Sequence, residues 1–197
     1  MEALTNALLN IPEIEELARR IEGGRCPVAV SGTASVHRSQ ISASLAQRLS
    51  RPLVMVCGDE KEALRLCLDL KTLMGREPLR LLGRDFQLTS AAFSRSWEHR
   101  RLAALYALAK GRESVVVATV DALMQRSIPR EVLLDAAFTV KVGGRADPQA
   151  LAEKLTAAGY TRSDQVEGVG QFALRGGILD VVSPMMEQPV RCESFEH

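Results

Sequence analysis

Apolar and polar positions follow a regular alternation of two kinds over the first 134 residues. Stripes with leucine, isoleucine or alanine every three or four positions predict four amphipathic helices: 1–22, 39–49, one that Asp59 caps and in which Leu66, Leu70 and Leu73 face inward, and 97–109. Pro12 is expected to divide the first helix. Short apolar runs between the stripes predict four strands: 27–30, 53–57, 79–82 and 115–118. Strands alternating with helices predict an α/β fold with a doubly wound, mostly parallel sheet.

The pattern changes near residue 135. Residues 138–142 form an apolar run that predicts a strand, and Asp147-Pro148 is typical of a helix start. That helix should end before Gly159, after which only short strands are expected. We therefore predict an α/β domain over residues 1–134 and a smaller α+β domain over residues 135–197.

The stretch that organises the second domain is residues 171–182. Residues 171–175 alternate in polarity, the pair Gly176-Gly177 permits a tight turn, and residues 178–182 are apolar around Asp180. These features predict a β-hairpin with Arg175 at the lip of its turn, where the backbone is fixed and the side chain is in solvent. Arg162 lies upstream, and strand pairing is expected to bring it to the same edge.

This stretch resembles the second domain of the UvrB family, which bacterial transcription-repair coupling factors (Mfd) share. The matching positions are Tyr160, Arg162, Asp164, Gly170, Phe172, Arg175, Gly176, Ile178, Leu179, Asp180 and Pro184. The resemblance extends over roughly residues 27–195. It favours the coupling factors, because the loop before Trp97 is too short for the aromatic-rich hairpin with which UvrB clamps DNA.

What the resemblance implies for this domain is docking of UvrA, the damage-recognition ATPase of nucleotide excision repair. Three arginines make that contact in UvrB; Arg162 and Arg175 match two of them, and Ala173 occupies the third position. Val182 matches an apolar position near the end of the hairpin, and Phe172 lies beside the arginines. Two arginines on one β edge would also suit a carboxylate on physical grounds. The alternative is that both are ordinary solvated arginines.

The turn after the first predicted strand stands where an NTPase places its phosphate loop. Gly32 and Ser39 match that motif, but His37 replaces its second glycine and Arg38 its lysine. A side chain at position 37 disfavours the backbone geometry that points amides at phosphate, and a planar guanidinium does not replace an ammonium. We expect a degenerate P-loop without a cofactor; weak phosphate binding is the alternative. In the resemblance, too, the coupling factors carry a decayed loop.

Composition excludes several classes of function. The net charge is +1, and residues 135–197 carry six basic against nine acidic residues, so no extended field for nucleic acid is present. Aromatic residues make up only 4% of the chain, too few for a base-stacking platform. The histidines are dispersed, and His99 beside two arginines indicates a solvated helix face. Asp180 is expected to bond turn amides or to pair with Arg175.

Compartment and metal content follow from the cysteines and from hydropathy. Four cysteines without a CxxC or Cys/His cluster indicate buried thiols in a reducing cytoplasm and no metal site. No signal peptide and no apolar run of membrane length is present, so a soluble, cytoplasmic protein is expected.

The sequence thus favours a non-catalytic adaptor that recruits UvrA to damage-stalled RNA polymerase in nucleotide excision repair. A UvrB-type ATPase or DNA-binding fragment is the alternative. By resemblance, the full-length protein would be an ATP-dependent DNA translocase that contacts RNA polymerase and DNA through domains outside these residues. Its remaining parts would cover the UvrA-binding surface, an autoinhibitory contact. The second domain is expected to be truncated here.

Overall fold

The computed structural model describes residues 2–83, 96–111, 115–144, 147–186 and 188–193. In chain order the elements are α1 (Glu2–Leu9), α2 (Pro12–Glu22), α3 (Ser35–Leu49), β1 (Leu53–Cys57), α4 (Glu60–Met74), β2 (Leu79–Leu81), α5 (Ser96–Ala109), β3 (Val115–Thr119), α6 (Val120–Met124), α7 (Arg130–Ala136), α8 (Pro148–Ala157), β4 (Thr161–Arg162), β5 (Gln171–Arg175), β6 (Ile178–Val182) and β7 (Val190–Glu193). None of the described helices is long and apolar enough to cross a lipid bilayer.

The chain divides into two compact units. The first contains α1 to α4, β1 to β3 and α6; the second contains α5, α7, α8 and β4 to β7. The boundary that we predict at residue 134 places α5 and most of α7 in the first domain. Their contacts group both helices with the second unit.

The first unit is built on a three-stranded parallel sheet in the order β1-β3-β2. Every residue of the central strand β3 is buried, as its all-apolar run predicts for a strand covered on both faces. Helix α4 packs Leu66 and Leu70 against this sheet, in one core with Val117 of β3. The predicted cap of α4 is confirmed: the Asp59 carboxylate accepts the Glu62 N–H at 2.7 Å, an arrangement that stabilises a helix by about 1 kcal/mol.

The strand predicted over residues 27–30 is wrong. The segment has no regular structure, and Val30 is 52% exposed. Among the described strands, β1 pairs only with β3. Residues 27–30 therefore form no backbone hydrogen-bond ladder with β1. Strand propensity records the fit of a side chain to a pleated, half-buried surface, and an apolar run without that surface does not form a strand.

The second unit is an α+β arrangement, as predicted. Its sheet has the order β4-β5-β6-β7, with β4 parallel to β5 and the other pairs antiparallel. Helix α8 begins where predicted, because Asp147 caps the amides of Gln149 and Ala150 and Pro148 occupies the first turn. The core between α8 and the sheet consists of Leu151, Ala152, Leu155, Phe172 and Leu179.

Two expectations about the second unit are wrong. Residues 138–142 form no strand, and Val142 is fully exposed, so this run does not pack against the sheet. His99 does not lie on a solvated face either. It is half-buried, and a Cβ added to Gly170 would lie 3.2 Å from its Nε2. Its neighbour Arg101 is 6% exposed and donates to Ser127 Oγ at 2.8 Å.

Candidate functional site

The predicted hairpin is present with the predicted turn. Strands β5 and β6 pair from Gln171↔Val182 to Arg175↔Ile178, which leaves Gly176-Gly177 as a two-residue connection. Gly176 has φ +57°, a left-handed conformation that glycine adopts without steric cost. Arg175 is therefore the last residue of β5, a strand in which every residue pairs with β6. Its side chain is exposed.

Arg162 lies on β4, the edge strand of the same sheet, and is also exposed. Its register partner is Phe172, held by the bond from Ser163 N–H to Phe172 O at 2.9 Å. Arg175 lies three positions beyond Phe172 along β5, which corresponds to about 10 Å along the strand at roughly 3.3 Å per residue. Because side chains alternate between faces, an odd offset places the two arginines on opposite faces of the sheet.

The expectation that Arg162 and Arg175 form a single carboxylate-binding edge is therefore wrong. Each guanidinium offers a separate point of contact. Within the part of the chain that the structure describes, neither forms an ion pair, so both retain their hydrogen-bond donors for an external acceptor.

Phe172 and Val182, the two apolar residues predicted to contact a partner, are buried. Phe172 is 0% exposed and packs against Leu151, Leu155 and Leu179, whereas Val182 is 9% exposed. Neither side chain is available to a partner in this structure. The sequence pattern could not separate these roles, because an apolar residue in a hairpin suits a core and an interface equally well.

Asp180 does not pair with Arg175 or with turn amides. Its two carboxylate oxygens accept hydrogen bonds from Nε and Nη2 of Arg191 on β7, at 2.7 and 2.9 Å. These bonds lower the pKa of Asp180, against an opposing effect of burial, and Arg175 makes only a small electrostatic contribution. Arg191 was not among the residues singled out from the sequence. Alternation along β7, with Val190 and Cys192 directed inward, is the signal that could have identified it.

Three of the four residues of the degenerate phosphate loop have side-chain partners within the protein. Gly32 has φ +76° in the loop before α3. His37 accepts the Ala34 N–H through Nδ1 at 3.2 Å, so its imidazole caps the helix. Arg38 forms an ion pair with Glu62 at 3.1 Å, and the buried Ser39 donates to the Asp69 carboxylate at 3.0 Å. In this structure the side chains of His37, Arg38 and Ser39 therefore engage groups of the protein.

The cysteines are less uniformly buried than expected. Cys57 is buried, Cys67 and Cys192 are half-buried and Cys26 is exposed. Desolvation by burial raises the pKa of the Cys57 thiol, with a smaller contribution from Glu62. Among the described residues no cluster of three or more histidine, cysteine or acidic side chains could hold a metal ion.

Comparison with known proteins gives two kinds of match. Residues 138–197 match a family model described as the UvrB interaction domain. The chain is also similar to transcription-repair-coupling factors: 34% identical to that of Myxococcus xanthus over 85% of this chain, and 30% identical to that of Bacillus subtilis over 85%. The chain is 27% identical to the UvrABC system protein B of Thermobifida fusca over 92% of this chain.

The matched segments cover 15% and 14% of those coupling factors and 28% of the UvrABC protein. The chain thus corresponds to a small part of each relative. The resemblance drawn from the hairpin pattern is confirmed: residues 138–197 match the UvrB interaction domain, within a chain that is homologous to one segment of the transcription-repair-coupling factors.

Proposed function

We propose that this chain is a non-catalytic docking module that recruits UvrA to damage-stalled RNA polymerase in nucleotide excision repair. The observation that carries the proposal is the position of Arg175, exposed at the end of a fully paired strand within the UvrB interaction domain. A charged group on a rigid strand end loses little conformational freedom on binding, which favours recognition of a partner carboxylate.

Arg162 supplies a second contact on the edge of the same sheet. Since the two arginines lie on opposite faces, a partner that uses both must wrap around the β4 edge instead of lying on one face. This geometry suits a protein surface with several acidic residues better than a single small anion, because each guanidinium needs its own acceptor.

Affinity for UvrA tests the proposal. Arg175→Glu is expected to weaken binding by at least tenfold, since truncating or reversing an interface charge costs about 2–5 kcal/mol. Arg162→Glu should weaken it as well. Arg51→Glu, at an exposed arginine in the first unit, is the matched control. The melting temperature should be nearly unchanged in all three variants, because exposed positions contribute little to stability.

Two outcomes would contradict this function. If the unmodified chain did not bind UvrA, the docking role would be lost altogether. If Arg175→Glu bound UvrA as tightly as the control variant, the hairpin end would not be part of the interface.

The first unit, in this proposal, is a degenerate form of an NTPase-like UvrB domain that does no chemistry. Its parallel sheet supports the comparison, and the engagement of His37, Arg38 and Ser39 with protein groups supports a loop that does not hold phosphate. A UvrB-type ATPase is the alternative, favoured by the similarity to the UvrABC protein over 92% of the chain. Isothermal titration with ATP and magnesium separates them: we expect no heat of binding, and binding at micromolar ATP would support the alternative.

The functions of a longer protein are part of the same proposal. We infer that the motor activity and the contacts with RNA polymerase and DNA reside in other segments, as in the resemblance to the coupling factors. We also infer that one of those segments covers the Arg175 surface until the motor engages. UvrA should therefore bind this chain more tightly than it binds the intact protein without DNA and nucleotide.

A further inference from the structure

A second arginine lies on the same sheet face as Arg175. Ala173, Asp180 and Arg191 are register partners across β5, β6 and β7, so their side chains share one face. Arg175 is two positions from Ala173 and therefore on this face too. Two strand spacings and two residues separate Arg191 from Arg175, which corresponds to roughly 12 Å.

Arg191 is accessible and held in one orientation. Its side chain is 60% exposed, whereas that of Asp180 is 22% exposed. The carboxylate engages Nε and Nη2, so Nη1 and one N–H of Nη2 are not used by this pair. A guanidinium fixed by a bidentate bond can present its outer edge to an acceptor with little further ordering.

The resemblance implies a third arginine at position 173, where this chain has Ala173. Ala173 is 2% exposed, so a long charged side chain there would enter a packed region. Arg191 stands two strands away on the same face and extends into solvent. Ile178, which is 37% exposed, is the register partner of Arg175 on one side and of the exposed Glu193 on the other, so this face also carries an apolar side chain and a second carboxylate.

We propose that Arg191, positioned by Asp180, is a partner-binding residue that acts with Arg175 on one face of the hairpin sheet. Its counterpart is a second carboxylate on the acidic surface of the same partner, roughly 12 Å from the one that meets Arg175. This inference rests on the proposed docking function. It adds a cationic contact on β7, the edge of the described sheet opposite to β4.

Affinity for UvrA of the 197-residue chain tests this assignment. Arg191→Gln is expected to weaken binding by about tenfold, the effect of losing a charge-assisted hydrogen bond. Arg191→Lys should lose most of this affinity despite its charge, because an ammonium cannot keep the bidentate pair and an outward donor together. Arg20→Gln is the matched control, since it removes a similar exposed pair with Glu16 in the first unit.

Asp180 is a positioning residue, and its variants separate orientation from simple screening. Asp180→Asn should weaken binding, because Arg191 is no longer fixed, and Asp180→Glu should restore part of it. If Asp180 only screened the charge of Arg191, Asp180→Asn would strengthen binding instead, which would overturn the positioning role. Melting temperatures of all variants show whether the sheet is intact; if Arg191→Gln failed to fold, Arg191→Lys would decide.

The combination of variants identifies which proposal fails. Loss of binding with Arg175→Glu but full binding with a folded Arg191→Gln would overturn this inference and leave the docking function in place. Failure of the unmodified chain to bind UvrA would overturn both. Independent contacts predict that the losses from Arg175→Glu and Arg191→Gln multiply in the double variant.

Discussion

Phe172 decides between a core role and an interface role for the hairpin, and its replacement is the clearest test of the fold. The side chain is 0% exposed and packs against Leu151, Leu155 and Leu179. Replacing a fully buried phenylalanine by alanine costs about 3–5 kcal/mol, because transfer and cavity terms add. Phe172→Leu keeps most of the apolar volume and should cost about 1–2 kcal/mol.

The single tryptophan makes the measurement specific. Trp97 lies on α5 in the second unit, so its fluorescence during urea unfolding reports on that unit. With a urea slope of about 1 kcal/mol per molar, Phe172→Leu should lower the midpoint by roughly 1–2 M. Phe172→Ala should leave the unit largely unfolded without urea. Leu70→Ala, in the core of the first unit, is the control and should be followed by far-UV circular dichroism.

A substitution at Phe172 that reduced affinity for UvrA without reducing stability would refute this reasoning. If Phe172→Leu unfolded at the same urea concentration as the unmodified chain but lost affinity for UvrA, Phe172 would be a contact residue. The Phe172 side chain would then have to be exposed, and not buried, in the form of the protein that binds UvrA. Unchanged affinity with a lowered midpoint is the expected result.

Three further predictions concern the pH response, the turn and the thiols. Arg191 depresses the pKa of Asp180 in the folded protein. The pair therefore stabilises the fold fully above the unfolded pKa of about 3.9, and this stabilisation is lost as the pH falls through the pKa of the folded state. In urea unfolding, the loss of stability caused by Asp180→Asn should become smaller at low pH, and a loss that does not change with pH would contradict this. Gly176→Ala should cost about 1 kcal/mol in urea unfolding, because φ is +57° and no atom lies within 4 Å of an added Cβ, whereas Gly177→Ala should cost less. A thiol reagent should modify the exposed Cys26 quickly and Cys57 only on unfolding, since Cys57 is buried with a raised pKa; equal rates of modification would be inconsistent with that burial.

Local sequence signals predicted most of the elements. Capping by Asp59 and Asp147, helix periodicity and the glycine pair at the hairpin each depend on neighbours within four residues. Such signals act before tertiary contacts form, and the structure confirms them. The two wrong strands, 27–30 and 138–142, share one cause: each needed a partner strand or a covering layer, which composition cannot reveal.

The candidate site shows the same division between local and non-local information. Exposure of Arg175 follows from its place at a turn and was predicted. The separation of Arg162 from it was not, because it depends on which residue of β4 lies opposite Phe172. A shift of one residue in that pairing would have placed both arginines on one face, which shows how strongly register controls the chemistry of a strand surface.

The pairing of Asp180 with Arg191 carries this argument furthest. Eleven positions separate the two residues along the chain, and either one alone is an unremarkable charge on a strand. Only the β6–β7 register brings the carboxylate and the guanidinium together, and only the β5–β6 register places them beside Ala173. The charge available on this face of the sheet is therefore set by residues that are distant in sequence. A candidate contact residue on a strand is best sought in the cross-strand row of a known position, and not only among the adjacent positions in sequence.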